Sequence, residues 1–453
     1  MATTTYTLTC LTPVHVGTGV QFSKFDGTYH DRQWHVMDLD KVLASGVDAN
    51  ALARAMNSRT FSWADWLAQQ RMTPTAGALY VLPCPQDPED TPVREAMKSV
   101  YQQPYLPGTS VKGAIRTAVL YSLLASQRSQ QTFVEAYLTL CLRGRDIYQR
   151  LETRRAFDRA DVHREVLAQT LNVSTEQARQ YQQTLYDILN IREERLAEVR
   201  TWRNFQRGLG NLGRSREWLG QHVERMVLGH NPNHDLMRAV QVSDTAPVSL
   251  DQLAVGLVWT YTLRGNRLVE KCEQDGDYKA LVEWHTPDTA LRLALRLDDF
   301  LFTEAANRDL RFRHAQTQAI QQLAHTCNAY ARTIITAERE FYATYGPDSL
   351  RDLYAELEAI LRALPAGAFL LNIGWGGGWE VKTIGDLLRK ALGTDGFRQL
   401  RQRYRLGVAP TTGQIAPNAP FPKTRRIAYE GGAARWALGW LKIEPQKEHS
   451  VES

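Results

Sequence analysis

A proline–glycine turn followed directly by a helix start constrains the fold of this 453-residue chain more than any other stretch. Pro107 and Gly108 predict the turn, because proline fixes φ near its turn value and glycine tolerates φ > 0. Thr109 or Ser110 is then expected to cap the helix that follows. The apolar residues beyond them predict a long helix with one buried side, ending at about Ser126.

Two cations lie on one face of this predicted helix. Lys112 and Arg116 are four residues apart and therefore share a face one turn into the helix. A helix start with unpaired N–H groups, hydroxyls and two cations suits a phosphate group. An ordinary capped core helix with a solvated lysine and arginine is the alternative, because simple caps are far more common than anion sites.

The composition is that of a soluble globular protein, with 43% hydrophobic and 23% charged residues. The length suffices for two or three domains, each with its own core. No apolar run approaches the roughly 20 residues of a membrane-spanning helix, and the first residues lack the basic and apolar regions of an export signal, so we expect a cytoplasmic protein. The five cysteines are far apart and form no CxxC pair, so we expect neither a disulfide framework nor a metal. No cofactor is expected.

The basic residues are unevenly distributed along the chain. The formal net charge is +5 and the pI is about 8.9, which permits a nucleic-acid partner without requiring one. Residues 199–216 contain five arginines and no acidic residue, and residues 397–429 contain seven lysines or arginines and no acidic residue. In a chain with 49 carboxylates, two such segments predict two places where an anion is bound.

Two loops, each after a predicted strand, are rich in glycine. The first follows an alternating segment at residues 5–10 and contains His15, Gly17, Thr18 and Gly19. The second follows an apolar segment at residues 369–373 and consists of Gly374, Trp375, Gly376, Gly377 and Gly378. Glycines let the backbone approach a ligand closely. The ring of Trp375 either stacks on a base or fixes the loop to the core.

Three other features admit both a functional and a structural interpretation. We favour a hydrogen-bonded structural role for His15, because acid–base catalysis needs placed partners that the sequence does not reveal. Asp244 follows a predicted strand, where a turn-capping aspartate is more common than a catalytic one. The arginines around Trp202 and Phe205 either bind nucleic acid or form a solvated helix face above core aromatics.

Strand and helix signals divide the chain. Residues 22–37 predict a hairpin with a turn at Asp26–Gly27. Residues 127–230 lose the strand signals and predict amphipathic helices, strands resume after residue 235, and residues 307–364 again predict helices. Gly208, Gly210 and Gly213 spell GxGxxG, but an arginine-rich segment precedes them instead of a buried strand, so no dinucleotide site is predicted.

Several of these stretches resemble one protein family. Residues 107–116 resemble the P-G-[ST]-[SL]-[LIV]-K-G-[AV]-[IL]-R signature of the RAMP superfamily, the RNA-binding proteins of CRISPR effector complexes. The two glycine-rich loops resemble further signatures of that superfamily. Residues 236–244, the FPKTRR sequence at 421–426 and the LGW sequence at 438–440 are similar to those of the fifth-subunit family of type III-A Csm complexes.

The resemblance implies an α+β fold with two ferredoxin-like (RRM-like) domains and two helical insertions. The expected boundaries are 1–126 for the N-terminal ferredoxin-like domain, 127–233 for the first helical insertion, 234–300 with 365–443 for the second ferredoxin-like domain, 301–364 for the second helical insertion, and 444–453 for a disordered tail.

The resemblance also implies a non-catalytic RNA-binding subunit that caps the 3′ end of the CRISPR RNA in a type III-A effector complex and supports guide maturation and assembly. The expected partners are the 3′ region of the CRISPR RNA, the neighbouring backbone RAMP subunit and the small helical subunit, with no membrane. The residues expected to bind RNA are His15, Gly17, Thr18, Gly19, Gly108, Thr109, Ser110, Lys112, Arg116, Gly374, Trp375, Gly376, Gly377, Gly378, Lys423, Arg425 and Arg426. No catalytic or metal-binding residue is expected.

Three alternatives stay open at this point. One is a metal-independent endoribonuclease that cleaves CRISPR repeats, with His15 or His35 as acid or base and Lys112 stabilising the transition state. No His-Tyr-Lys or paired-histidine cluster recurs in the sequence to support it. Another is the terminal RAMP subunit of a type III-B complex, against which the FPKTRR ending argues. The third is a scaffold without RNA contact, against which the basic C-terminal segment argues.

Overall fold

The computed structural model describes residues 3–126, 128–212, 218–229, 231–275, 278–407, 413, 415 and 420–446, which form a mixed α+β fold. Its strands are β1 (Thr3–Cys10), β2 (Gly17–Phe22), β3 (Gly27–His30), β4 (Gln33–Met37), β5 (Ala78–Pro83), β6 (Val93–Ala96), β7 (Val240–Val242), β8 (Leu253–Arg264), β9 (Arg267–Glu270), β10 (Lys279–His285), β11 (Ala290–Leu297), β12 (Phe369–Asn372), β13 (Thr424–Glu430), β14 (Ala433–Trp436) and β15 (Trp440–Pro445).

The helices of the described residues, in chain order, are α1 (Leu39–Ala44), α2 (Ala49–Met56), α3 (Trp63–Gln69), α4 (Gly108–Ser126), α5 (Arg128–Thr153), α6 (Ala160–Leu171), α7 (Thr175–Leu189), α8 (Val199–Asn211), α9 (Trp218–Leu228), α10 (Glu304–Leu310), α11 (His314–Gln321), α12 (Leu323–Tyr345), α13 (Asp348–Ala363), α14 (Gly378–Lys382) and α15 (Gly385–Tyr404). The two stretches predicted to be helical correspond to α5–α9 and to α10–α13. In the part of the chain that is described, no helix is both long enough and apolar enough to span a bilayer.

The first sheet has β1 at its centre. Its strand order is β12–β15–β1–β11–β7, and every neighbouring pair is antiparallel. Tyr6 lies opposite Leu293 of β11 on one side and Pro445 of β15 on the other. The helices α4 and α12 contact each other and pack against the edge strands β7 and β12. The sheet therefore joins the beginning, the middle and the end of the chain.

The second sheet has the order β14–β13–β8–β10–β6–β2, with β9 paired to β8. The β10–β6 pair is parallel and the other pairs are antiparallel. A third, smaller sheet has the order β3–β4–β5. Apolar residues of the second and third sheets share one core cluster, which includes Trp34, Leu82, Val93 and Leu253.

Strands from both predicted ferredoxin-like domains are interleaved in the first two sheets. β1 pairs with β11 and β15 in the first sheet, and β6 pairs with β10 in the second. Two separate ferredoxin-like domains are therefore not confirmed, although the α+β class is. The boundaries of the domains and insertions stay a prediction.

The hairpin turn is at a different place from the predicted one. β3 and β4 are joined at Asp31 and Arg32, which have φ values of 47° and 60°. A two-residue hairpin loop of type I′ requires φ > 0 at both positions. Asp26 instead accepts hydrogen bonds from the backbone and side chain of Ser23. The prediction of a turn at Asp26–Gly27 was wrong because the sequence pair alone does not fix which strands it joins.

The start of α4 is capped by a residue far away in sequence. The Gly108 N–H donates to Oδ1 of Asp244 over 2.7 Å, and a Cβ at position 108 would lie 2.4 Å from the carbonyl oxygen of Ser243. The prediction that Thr109 or Ser110 caps this helix was wrong, because the loop after β7 passes close enough to supply the carboxylate. Asp244 does act as a capping residue, but across the fold and not within its own turn.

The C-terminal strand extends further than expected. β15 includes Glu444 and Pro445, and the Gln446 N–H donates to the Thr5 carbonyl oxygen over 2.8 Å. The predicted disordered tail therefore overlaps the end of a paired strand. Its remaining residues, 447–453, lie outside the described residues.

The cap on α4 makes a stability prediction. Asp244→Ala removes the acceptor for the Gly108 N–H, so we expect the free energy of unfolding to fall by about 0.5–2 kcal/mol. Asp251→Ala is the matched control, because the Asp251 side chain is exposed and makes no hydrogen bond to a described residue. Urea titration of both variants measures the difference. Equal stability of the two variants would contradict the capping role.

Candidate nucleic-acid interface

Three loops leave the first sheet at the same end. β1, β7 and β12 run in one direction, because β11 and β15 lie antiparallel between them. Residues 11–16, 243–248 and 373–378 follow these three strands, and we call this side of the sheet the loop end. The two glycine-rich loops predicted from the sequence therefore lie on one side of the molecule.

Backbone hydrogen bonds hold the beginning and the end of the chain together at the loop end. The Trp375 N–H donates to the His15 carbonyl oxygen over 2.8 Å, and the Gly439 N–H donates to that of Pro13 over 2.9 Å. The Trp440 N–H donates to Oγ1 of Thr12 over 2.9 Å. The LGW sequence thus positions the first loop, residues 11–16. The first loop in turn positions residues 374–378, which we call the glycine loop.

The glycine loop is packed closely against protein over most of its length. A Cβ at Gly374, whose φ is +72°, would lie 2.2 Å from the His15 carbonyl oxygen, and one at Gly376 would lie 2.4 Å from Leu438. Gly377 faces Asn372 in the same way. Gly378 is different, because it is exposed and a Cβ there would meet no atom within 4 Å. Close approach of an RNA backbone is therefore open mainly at Gly378.

Two arginines lie against the Trp375 ring. The guanidinium carbon of Arg426 is 4.5 Å from the Trp375 ring centroid and that of Arg94 is 5.1 Å away. The His15 ring makes an edge-on contact with the same indole, with 6.1 Å between centroids. The indole is half-buried, so it fixes the loop and also joins two cationic side chains into one patch.

The basic C-terminal sequence divides into a buried and an exposed part. Arg425 donates from Nε to Oε2 of Glu338 over 2.8 Å, and its guanidinium carbon lies 3.9 Å from the Phe341 ring centroid. Only 12% of the Arg425 side chain is exposed. Lys423 is exposed and has no ion pair among the described residues. The contacts give Arg425 a structural role and leave Lys423 and Arg426 on the surface side.

The cations of α4 lie near the other edge of the sheet. Arg116 forms ion pairs with Asp235 at 2.8 Å and Glu224 at 3.2 Å, so its charge is matched within the chain. Lys112 has no ion pair in the described part, and partial burial lowers its pKa. The start of α4 contacts the loop after β7, four strand spacings or roughly 19 Å from β12. Lys112 and the glycine loop are thus on the same end of the sheet without being in contact.

The remaining predicted residues of the first loop lie on or beside the edge strand β2. Gly17 and Gly19 are exposed, and no atom lies within 4 Å of a Cβ built at Gly19. Thr18 donates from Oγ1 to Oε2 of Glu95 over 2.8 Å. Thr109 is exposed and Ser110 is half-buried. Their contact with RNA stays a prediction.

His15 belongs to a buried polar cluster that the sequence did not reveal. Its Nδ1 lies 2.6 Å from the Glu283 carbonyl oxygen, and burial lowers the pKa of His15 to about 4. The Glu283 carboxylate accepts from the Tyr80 hydroxyl at 2.8 Å and from Lys98 Nζ at 2.5 Å. No local motif marks Tyr80, Lys98 or Glu283, because they are brought together by pairing of strands distant in sequence.

This cluster contains a histidine, a tyrosine and a lysine, yet RNA cannot reach it in this conformation. His15 is 3% exposed and Glu283 is fully buried. His35, the other candidate acid or base, lies in β4 of the third sheet and is also buried. The Glu283 carboxylate is saturated by Tyr80, Lys98 and the Ala96 N–H, as in a buried structural network. Among the described residues, no group of three or more metal-ligating side chains could hold an ion.

A cavity of about 180 Å³ lies beneath the glycine loop. Its walls combine the glycine loop, α12, β13 and the LGW turn, and they include Glu338, Asn372, Gly377, Arg425 and Leu438. The late glycine loop and the FPKTRR sequence, separated by more than 40 residues, therefore form one site, and they were predicted separately from the sequence.

Comparison with known proteins assigns the class. Residues 7–382 match the family model of the RAMP superfamily. The match covers most of the chain, so this protein belongs to the RAMP superfamily. A search of curated protein sequences finds no match.

Solved structures share the fold. A chain of the cryo-EM structure of a Csm–crRNA–target RNA ternary complex in a type III-A CRISPR-Cas system is similar, with a TM-score of 0.61 and 22% identity over 97% of this chain and 100% of that chain. The crystal structure of T. onnurineus Csm5 has a TM-score of 0.57 and 20% identity over 96% of this chain and 99% of that chain. At these identities, the likeness concerns the fold.

The buried arginine makes a second prediction. Arg425→Ala leaves Glu338 buried without its ion-pair partner, so we expect the free energy of unfolding to fall by about 3–5 kcal/mol. Lys423→Ala, two residues away and exposed, should change it by less than about 0.5 kcal/mol. Denaturant titration compares the two variants. If Arg425→Ala kept full stability and lost only RNA binding, Arg425 would be an RNA contact and not a structural residue.

Proposed function

We propose that this protein is a non-catalytic RNA-binding subunit of a type III-A CRISPR effector complex, where it caps the 3′ end of the CRISPR RNA and supports guide maturation and assembly. Membership of the RAMP superfamily supports an RNA ligand. The fold similarity to a chain of a Csm–crRNA–target RNA complex and to Csm5 supports the type III-A assignment and the position in the complex.

One observation carries the RNA-binding proposal. Arg426 and the exposed Gly378 line one cavity, Arg426 and Arg94 lie against the Trp375 ring, and the exposed Lys423 stands in the chain between Pro422 and Thr424, which also line that cavity. Cations that contact phosphates, together with an aromatic ring, are the usual components of a single-strand binding site. Such contacts hold an RNA chain in position without reading its sequence, which suits a subunit that must accept many guides.

The arrangement of the sheets supports a further proposal, that the chain contains two ferredoxin-like units. The first ferredoxin-like unit would be built on the first sheet, where β15, β1, β11 and β7 lie side by side in this order with antiparallel neighbours, and β12 would be an added edge strand beside β15. The second ferredoxin-like unit would be built on the second sheet. In this arrangement the RNA lies across the loop end, and α12 of the second helical insertion lies behind the glycine loop, where it contributes Glu338 to the cavity.

The proposed partners follow from this position. They are the 3′ region of the CRISPR RNA, the neighbouring backbone RAMP subunit and the small helical subunit of a cytoplasmic complex. The exposed arginines of α8, Arg200, Arg203 and Arg207, recur on one helix face without an ion pair among the described residues and offer a second basic surface. We assign no catalytic residue, since His15 is buried and hydrogen-bonded at Nδ1.

The RNA site predicts a salt-dependent affinity. Each phosphate contact contributes about −0.7 to the slope of log K against log salt for a single strand, so wild-type protein should bind single-stranded RNA with a steep slope. Lys423→Ala should make the slope shallower by about 0.7. Arg54→Ala is the charge-matched control, because Arg54 is exposed on α2, which packs in an apolar cluster with α1 and α3, and does not line the cavity. A flat salt response, or equal slopes for both variants, would reject the proposed site.

The non-catalytic assignment is tested directly. Purified protein incubated with guide or target RNA, with and without EDTA, should yield no cleavage products on a denaturing gel. Cleavage that is lost in His15→Ala and retained in His314→Ala, an exposed histidine on α11, would establish the endoribonuclease alternative.

A further inference from the structure

The cavity beneath the glycine loop contains hydrogen-bond acceptors that the protein leaves unused. Asn372 is 7% exposed, and its Oδ1 has no donor among the described residues. Its amide orientation is fixed, because Nδ2 donates to the Leu438 carbonyl oxygen over 2.7 Å. A buried acceptor without a partner is costly, so the site is arranged for a ligand that brings hydrogen-bond donors.

Glu338 adds a charged acceptor to the same wall. It is 4% exposed, and its Oε2 accepts from Arg425 while its Oε1 has no donor in the described part of the chain. Hydroxyl donors form short, charge-assisted hydrogen bonds to a carboxylate. Thr260 and Thr424 also line the cavity, together with the charged residues Lys271, Glu380 and Arg426.

The size of the cavity limits the ligand to one small unit. Its volume of about 180 Å³ is below the roughly 300–1,000 Å³ of pockets that hold drug-sized molecules. A single sugar fits this limit and a dinucleotide does not. A terminal sugar that carried a further phosphate would be larger than this single unit, and it would bring that phosphate close to the Glu338 carboxylate even though Lys271 and Arg426 also line the cavity.

We propose that this cavity receives the terminal ribose of an RNA chain and recognises its free 2′- and 3′-hydroxyls through Glu338 and Asn372. The inference rests on the proposed RNA-end function and adds the chemical identity of the end. Vicinal hydroxyls supply the donors that both acceptors lack. The preceding phosphate then lies outside the cavity, beside Lys423 and the Arg426–Trp375 stack. The protein therefore selects RNA that ends in hydroxyls over RNA that ends in a phosphate.

The first test needs no variant. Affinities of full-length wild-type protein are measured for one single-stranded RNA sequence with a 3′-hydroxyl, a 3′-phosphate or a 2′,3′-cyclic phosphate, and for the same sequence as a circle. The 3′-hydroxyl form should bind at least about tenfold more tightly than the phosphate forms, because like charges brought together are repelled. The circle, which has no end, should resemble the phosphate forms.

Variants then assign the selectivity to the cavity. Glu338→Gln removes the negative charge and should reduce the preference for the hydroxyl end to less than about threefold. Glu358→Gln is the matched control on the adjacent helix α13, because Glu358 pairs with Arg339 and Arg362 and does not line the cavity. Thermal melting verifies that both variants fold.

The outcomes separate this inference from the proposed function. Equal, tight binding of all four wild-type RNAs would overturn the terminal-ribose site and leave RNA binding intact. A hydroxyl preference that survives in Glu338→Gln at full strength would also overturn it. If wild-type protein bound none of the RNAs, both the inference and the proposed function would be wrong.

Discussion

The pairing of β1 with β11 on one side and with β15 on the other is the constraint on which the rest of the structure depends. These two ladders connect residues 3–10 with residues nearly 300 and more than 400 positions away. Because strand direction alternates across the sheet, they also bring the loops after β1, β7 and β12 to one end. The loop that carries Trp375 lies at this end, and Arg94, Arg426 and the cavity adjoin it.

Close packing at the loop end determines which motif residues contact protein and which remain accessible to a ligand. Gly374 and Gly376 pack directly against His15 and Leu438, where a side chain would not fit. Their lack of a side chain is therefore required by the fold itself. Arg116 and Arg425 are neutralised by acidic partners within the chain. The charge that remains for a phosphate is carried by residues such as Lys423, which is why a mildly basic chain can still present a localised RNA site.

The local helices, strands and loops could be predicted from the sequence, but the tertiary contacts between them could not. The α4 helix, the long strands β8 and β11, and the glycine loop after β12 follow from turn residues and periodicity, which act over a few positions. The Asp244 cap, the Arg116–Asp235 and Arg425–Glu338 pairs, and the cluster around Glu283 depend on residues more than 80 positions apart. No local pattern encodes such contacts. The sequence therefore could not show that Asp244 and not Thr109 caps α4. It also could not show that Arg116 and Arg425 form ion pairs within the chain, in contrast to Lys112 and Lys423.

The most direct test of the account is photo-crosslinking of the protein to a single-stranded RNA that carries 4-thiouridine only at its 3′-terminal position, followed by peptide identification. The account predicts crosslinks in the peptides that contain Trp375 and Gly378 and in those that contain Lys423 and Arg426, at the loop end of the first sheet. Crosslinks confined to α5–α9 or to the third sheet would contradict it, because the RNA end would then be bound elsewhere.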